Sequence, residues 1–279
     1  MAGKKWAPFP HANKAFDYAG DKLQKAWARL HAGDAEPYPD EARIAALLKA
    51  NPKLGKATDA GKIAGKLQDA WRAYHRGDFQ AADEMGAALG PLGAAVANKA
   101  MGIHAAYLVD DEKEKLKRFE EVARRAEAAI AALPKEANAH YFRAFSLGRY
   151  SQLLSITKAL SMGLAGKVRE SLDQTLKHAP KHAEAHLALA MYHAEIVGKV
   201  GGMLATLTYG ASAGKAEDLL KAAAKLTPDA PVVYLEQGNA LVLLKRDDDA
   251  AAAYARAAKM KPIEAMQALD IANARAQIE

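Results

Sequence analysis

Three histidines, His182, His186 and His193, stand in the stretch HAPKHAEAHLALAMYHAE. On a helix turning about 100° per residue they fall within about 40° of one another. Imidazoles at i and i+4 can share one metal ion, and Glu195 follows close behind, so this is the sequence's candidate metal site. The competing reading makes them packing residues of a buried helix face. His178 precedes Pro180 and belongs to a different helix. Other chemistry is sparse. There is no cysteine, which removes disulfides, thiol nucleophiles and cysteine-bound zinc or iron–sulfur centres. Gly198-Lys-Val-Gly-Gly202 lacks the preceding strand and the GK[ST] ending of a phosphate loop. No GxSxG elbow, HExxH pair or DxDxDG loop is present. The acid runs Asp110-Asp111-Glu112 and Asp247-Asp248-Asp249 sit where helices should begin, and there the helix dipole favours carboxylates. The expectation is a protein without enzymatic activity and without a cofactor.

The elements that must carry these residues are helices. Nearly a quarter of the 279 residues are alanine and only 7% are aromatic. Alanine has the best helix propensity, and its methyl lets helices approach closely, whereas strands would need more β-branched and aromatic side chains. The charge balance, 39 Lys+Arg against 33 Asp+Glu, is interspersed along the chain and reads as a solvated helical surface. It does not form the concentrated basic face of a nucleic-acid binder. The opening MAGKKWAPFPHANKAF has lysines but no apolar run behind them, so it is not a secretory signal. The most apolar window, 196–213, is too rich in glycine and serine, and carries Lys199, so no membrane span is expected. A cytoplasmic protein is the expectation.

Internal repetition organises the chain. KLQKAWARLHAGD around Trp27 recurs 44 residues later as KLQDAWRAYHRGD around Trp71, with Lys, Leu, Gln, Ala, Trp, His, Gly and Asp in register. Further on, Pro134, Pro180, Pro228 and Pro262 each end an alanine- and leucine-rich segment, because proline cannot continue a helix. After the first three prolines a new helix opens, with His140, His186 or Tyr234 near its start and a small residue (Ala144, Ala190, Gly238) one turn on.

These residues resemble the tetratricopeptide repeat (TPR) family, whose 34-residue helix–turn–helix unit carries an aromatic at position four, small residues at eight and twenty, and proline at thirty-two. Tyr234, Gly238, Ala250, Tyr254, Ala257 and Pro262 fit the pattern, and so do His186, Ala190, Ala216, Leu220, Ala223 and Pro228. The implied fold is all-α: a right-handed α-solenoid of TPR-like hairpins, with units near 18–53, 62–92, 94–134, 137–180, 183–228 and 231–262. A cap over 263–278 completes a single 1–279 domain. His186 and His193 then stand at positions that other members fill with aromatic packing residues, which favours the structural reading of the histidines.

Two units carry insertions, GRYSQLLSITKALSMGLAGK (148–167) and GKVGGMLATLTYGASAGK (198–215), both without an acidic residue. They are expected to lengthen both helices of each hairpin by about one and a half turns. The motifs GRYSQ and YHAE-x-x-GK are similar to the TRAP-transporter T-component and regulator-of-microtubule-dynamics branches of the repeat family. That likeness implies a protein partner or an apolar-ligand pocket. The insertions either enlarge the core or form a pocket between the two hairpins. Such a pocket would take an apolar or anionic ligand, with Arg149, Lys158, Lys199 and Lys215 as cations. Carried over from the family, the groove positions are Asn138, Tyr141, Phe145 and Arg149, then Glu184, Leu187, Met191 and Glu195, then Val232, Leu235, Asn239 and Val242. The Lys/Asn carboxylate clamp of chaperone-binding members is missing. The resulting expectation is a scaffold that binds a protein or peptide through Asn138, Tyr141, Phe145, Arg149, Met191, Glu195, Lys199 and Asn239. A small ligand is the alternative, nucleic acid is not expected, and the chain would be a monomer or homodimer.

Overall fold

The computed structural model describes residues 5–279; residues 1–4 of the 1–279 span lie outside it. Fifteen α-helices and no strand occur among the described residues. They are α1 (Lys22–Leu30), α2 (Glu41–Ala50), α3 (Ala60–Arg76), α4 (Phe79–Ala87), α5 (Ala94–Leu108), α6 (Glu112–Ala132), α7 (Ala137–Gln152) and α8 (Ile156–Ser161). Beyond them run α9 (Leu164–His178), α10 (Ala183–Val200), α11 (Gly202–Tyr209), α12 (Ala213–Leu226), α13 (Pro231–Leu243), α14 (Asp247–Ala258) and α15 (Ala265–Ala276).

Local chemistry sets the helix ends. Asp40 caps α2 by accepting from Arg43 N–H (2.7 Å), and Asp111 caps α6 by accepting from Glu114 N–H (2.7 Å). Gly77 closes α3 at φ +92°, a conformation an L side chain rarely adopts. Helices α6, α9 and α12 each stop two residues before a proline, at Ala132, His178 and Leu226.

The insertions depart from the expected form. Each insertion ends its first helix and turns part of its length into a short extra one; α7 (16 residues) and α9 (15) are each three residues longer than α13 and α14, whereas α10 and α12 are lengthened unequally. Helix α10 has 18 residues against 13 for α13, but α12 has 14 against 12 for α14, and the remaining length becomes α11. In the other enlarged hairpin α8 plays the same part. Glycines explain the breaks: Gly163, Gly201 and Gly210 adopt positive φ at the ends of these short helices.

Contacts cluster into two units. The N-terminal unit comprises the residues up to Arg29 together with Glu36–Gln174; the C-terminal unit comprises Leu30–Ala35 with Thr175–Glu279. In the first, Trp27 and Trp71, the duplicated tryptophans, meet edge to face with ring centres 5.7 Å apart. His75 stacks on Trp71 at 5.8 Å. Helix α5 is buried on every face from Val96 to Ala105, because its alanines and Gly102 let neighbours close in on all sides. In the second unit, Ala190, Ala194, Ala216, Ala223, Ala250 and Ala257 form the contact layer, with Leu187, Leu220, Tyr234 and Tyr254 filling between them.

Candidate functional site

Each expected site residue has a definite place. In the N-terminal unit Asn138 and Tyr141, on α7, are only 5% and 6% exposed. The repeat scheme assumes an open face there, but this chain's own Glu36–Pro39 loop folds over Asn138. Asn138 Nδ2 donates to Glu36 Oε2 (2.5 Å). The loop is pinned from behind, as Trp27 Nε1 donates to the Glu36 carbonyl (2.7 Å) and Gln68 Nε2 to the Pro39 carbonyl (3.0 Å). A crevice of about 570 Å³, counting its open mouth, lies beside this loop. Ile44, Leu47, Trp71 and Leu133 wall it, and an Arg43–Glu136 ion pair stands at its edge. Its lining takes nothing from 148–167 or 198–215.

Further along α7, Phe145 and Arg149 are half-buried. The Phe145 ring rests on Gly102, where a Cβ would come within 2.8 Å of it, and the Arg149 guanidinium lies over the ring at 5.7 Å from its centre. In the C-terminal unit Met191, Glu195 and Lys199 follow one another at i, i+4 and i+8 along α10. Met191 is partly buried against the core, and Lys199 reaches Glu195 at 3.4 Å. Helix α13 packs on α10 and carries Asn239 and the 47% exposed Val242. Asn239 donates to Glu236 (3.1 Å) and accepts from the Tyr254 hydroxyl (2.9 Å). Gly198 permits the close crossing, since a Cβ there would lie 3.1 Å from the Leu243 carbonyl.

The three histidines have different surroundings. His182 is the N-cap of α10, its Nδ1 accepting from Ala185 N–H (3.0 Å). His186 Nε2 bonds the Pro180 carbonyl (3.0 Å). His193 is buried edge-on to Tyr192. No group of three His, Cys, Asp or Glu side chains able to hold a metal ion occurs among the described residues.

Two polar clusters were not legible in the sequence. His104 on α5 is buried between Trp6 and Arg118; its Nε2 donates to the Ala7 carbonyl (3.0 Å), and its Nδ1 accepts from Arg118 (2.7 Å). Burial, reinforced by the Arg118 charge, pulls the imidazole pKa down to about 4 against the pull of the Ala7 carbonyl. Asp83 on α4 is buried against Arg125 of α6, and desolvation raises its carboxyl pKa despite that partner. Each joins residues far apart in sequence, and no local spacing announces them. In the C-terminal unit, His31 pairs with Asp34 (2.9 Å), and the Gly33 carbonyl accepts from Glu184 N–H (2.9 Å). At the duplicated position Asp78 accepts from Arg76 Nε (2.8 Å).

Among solved structures, the chain is similar to a thermophilic TPR protein of Thermus thermophilus. The TM-score is 0.54 at 17% identity, covering 77% of this chain and 99% of that one. The fold class is accordingly an α-solenoid of TPR-like hairpins, two of them enlarged, with α15 as the terminal cap. No curated protein sequence matches the chain. No helix of the described residues is long and apolar enough to cross a membrane. The sequence also matches, over residues 94–276, the family described as Regulator of microtubule dynamics protein 1-3, and that span is well over half of its length. The chain therefore belongs to the Regulator of microtubule dynamics protein 1-3 family, and carries it on TPR-like helical hairpins.

Proposed function

We propose that the chain is a non-enzymatic helical-repeat scaffold that holds a protein partner on the first helices of its hairpins. The observation that carries this reading is the set of partly open apolar side chains there, each beside a charged or amide group. Phe145 lies under Arg149, Met191 stands one turn from Glu195, and Val242 is close in sequence to Asn239. Apolar anchors rimmed by polar groups are the usual composition of a protein interface. Asn138 and Tyr141 contribute from beneath, as supports of the surface, because both are buried, Asn138 under the Glu36–Pro39 loop.

The test is quantitative partner recovery. Arg149→Ala and Val242→Arg, one in each unit, should each weaken capture of the partner found with the unaltered protein by about tenfold. Asn138→Ala should leave it within about twofold, since that side chain offers no open surface. Equal recovery with all three variants would sink the assignment. A mass increment retained by the native protein in mass spectrometry would instead favour the small-ligand alternative.

A further inference from the structure

We propose that α11 is a membrane-surface anchor, a short apolar tip that enters the headgroup region of a bilayer rich in anionic phospholipid. The helix forms the turn of the α10–α12 hairpin and has no charged residue over its eight positions, GMLATLTY. Met203 is 82% exposed, Leu207 79% and Leu204 53%; the first two stand one turn apart and Leu204 is adjacent. No other large apolar side chain among the described residues is as open as Met203 or Leu207. Contiguous apolar surface at a protruding turn marks a binding surface, and scattered single residues do not.

Two polar groups of the tip, Thr206 and Lys215, are turned onto the chain's own carbonyls, while Thr208 is left exposed. The Thr206 hydroxyl turns back on the chain, 2.9 Å from the Gly202 carbonyl and 3.1 Å from that of Ala211. Lys215 Nζ donates to the Gly210 carbonyl (2.8 Å), satisfying the end of the helix from outside. Half-buried Tyr209 stands at the base, where an amphipathic ring suits the interface. Lys215 and Lys199, the latter 44% exposed and also reaching Glu195 at 3.4 Å, flank the tip, and residues 198–215 hold no Asp or Glu in a chain with 33 of them. This charge pattern selects an anionic surface, and the long lysine stems keep their ammonium groups at headgroup level.

The other enlarged hairpin repeats the recipe independently. Helix α8 exposes Ile156 and Leu160, each at 56%, carries Lys158, and lies within another acid-free insertion. A protein partner would need a matching shape for each tip. A bilayer needs only apolar atoms at the end and cations around them.

The chain's lack of cysteine makes the test clean. An environment-sensitive fluorophore on Leu207→Cys should brighten and shift to the blue when vesicles of phosphatidylcholine with phosphatidylglycerol are added. Vesicles of phosphatidylcholine alone should change little, and high salt should reverse the effect. The same label on exposed Ala252→Cys of α14 should stay unchanged. In co-sedimentation with the mixed vesicles, Met203→Ser/Leu207→Ser should lower the bound fraction about tenfold or more, with an unaltered melting curve. The proposal is overturned by label changes at both positions or at neither. It is equally overturned by undiminished sedimentation of the serine variant. Loss of a dimer in that variant, without vesicle binding by the unaltered protein, would assign the face to a second copy of the chain.

Discussion

His140, His186 and Tyr234 do one job with different chemistry. Each ring donates to the carbonyl of the proline six residues earlier: Pro134 (2.9 Å), Pro180 (3.0 Å) and Pro228 (2.9 Å). A carbonyl only accepts, so each histidine must carry its hydrogen on Nε2. The bond satisfies an oxygen left over where the preceding helix has stopped. Tyr234→Phe removes this bond alone and should cost about 1 kcal/mol in denaturant unfolding. His104 supports a second prediction, because its pKa is about 4 in the folded chain and 6.5 as the ordinary value. Between those limits the unfolded chain takes up a proton that the folded chain refuses. Stability present above pH 6.5 is therefore lost as pH falls towards 4, by on the order of 2 kcal/mol. Thermal melts across that window should show the loss, and His104→Gln should flatten it.

At the scale of elements, small residues decide how closely helices pack. A Cβ on Gly238 would lie 2.3 Å from the Tyr254 ring, which crosses α13 at that point. Gly238→Ala should destabilise by about 1–3 kcal/mol, since the ring has to move and its hydroxyl leave Asn239. Gly65, exposed in the middle of α3, meets nothing within 4 Å. There the same substitution should stabilise by about 0.5–1 kcal/mol, because only the helix preference of alanine remains. Paired melting curves distinguish the two. Gly238 was legible in the sequence as a small residue at an inter-helix contact. The extra helices α8 and α11 were not, because their boundaries depend on glycines at positive φ, and helical periodicity runs straight through those positions.

For the molecule as a whole, unequal burial predicts unequal protection. Helix α8 has no buried residue and α11 only Ala205, whereas α5 is covered along most of its length. Hydrogen exchange should therefore be fastest among the helices in α8 and α11, and slowest in α5. Comparable protection of all three would contradict the packing. Partner contact at Arg149 or Val242 should slow exchange in α7 or α13, and vesicle binding should slow it in α11.

The sequence alone determined the helical class, the repeating hairpins, the proline stops and the six alanines at Ala144, Ala190, Ala216, Ala223, Ala250 and Ala257, all of them buried. Those signals are local or periodic: propensity, turn chemistry and the spacing of small residues act over a few turns of chain. Tertiary structure alone decided which groove positions stay open. Asn138 and Tyr141 hold the expected places on α7, yet Glu36, about a hundred residues earlier, closes over Asn138. It likewise placed the three histidines, as the cap of α10, a donor to the Pro180 carbonyl and a ring packed edge-on to Tyr192, because those partners are set by the helix ends and neighbours and not by helical spacing alone.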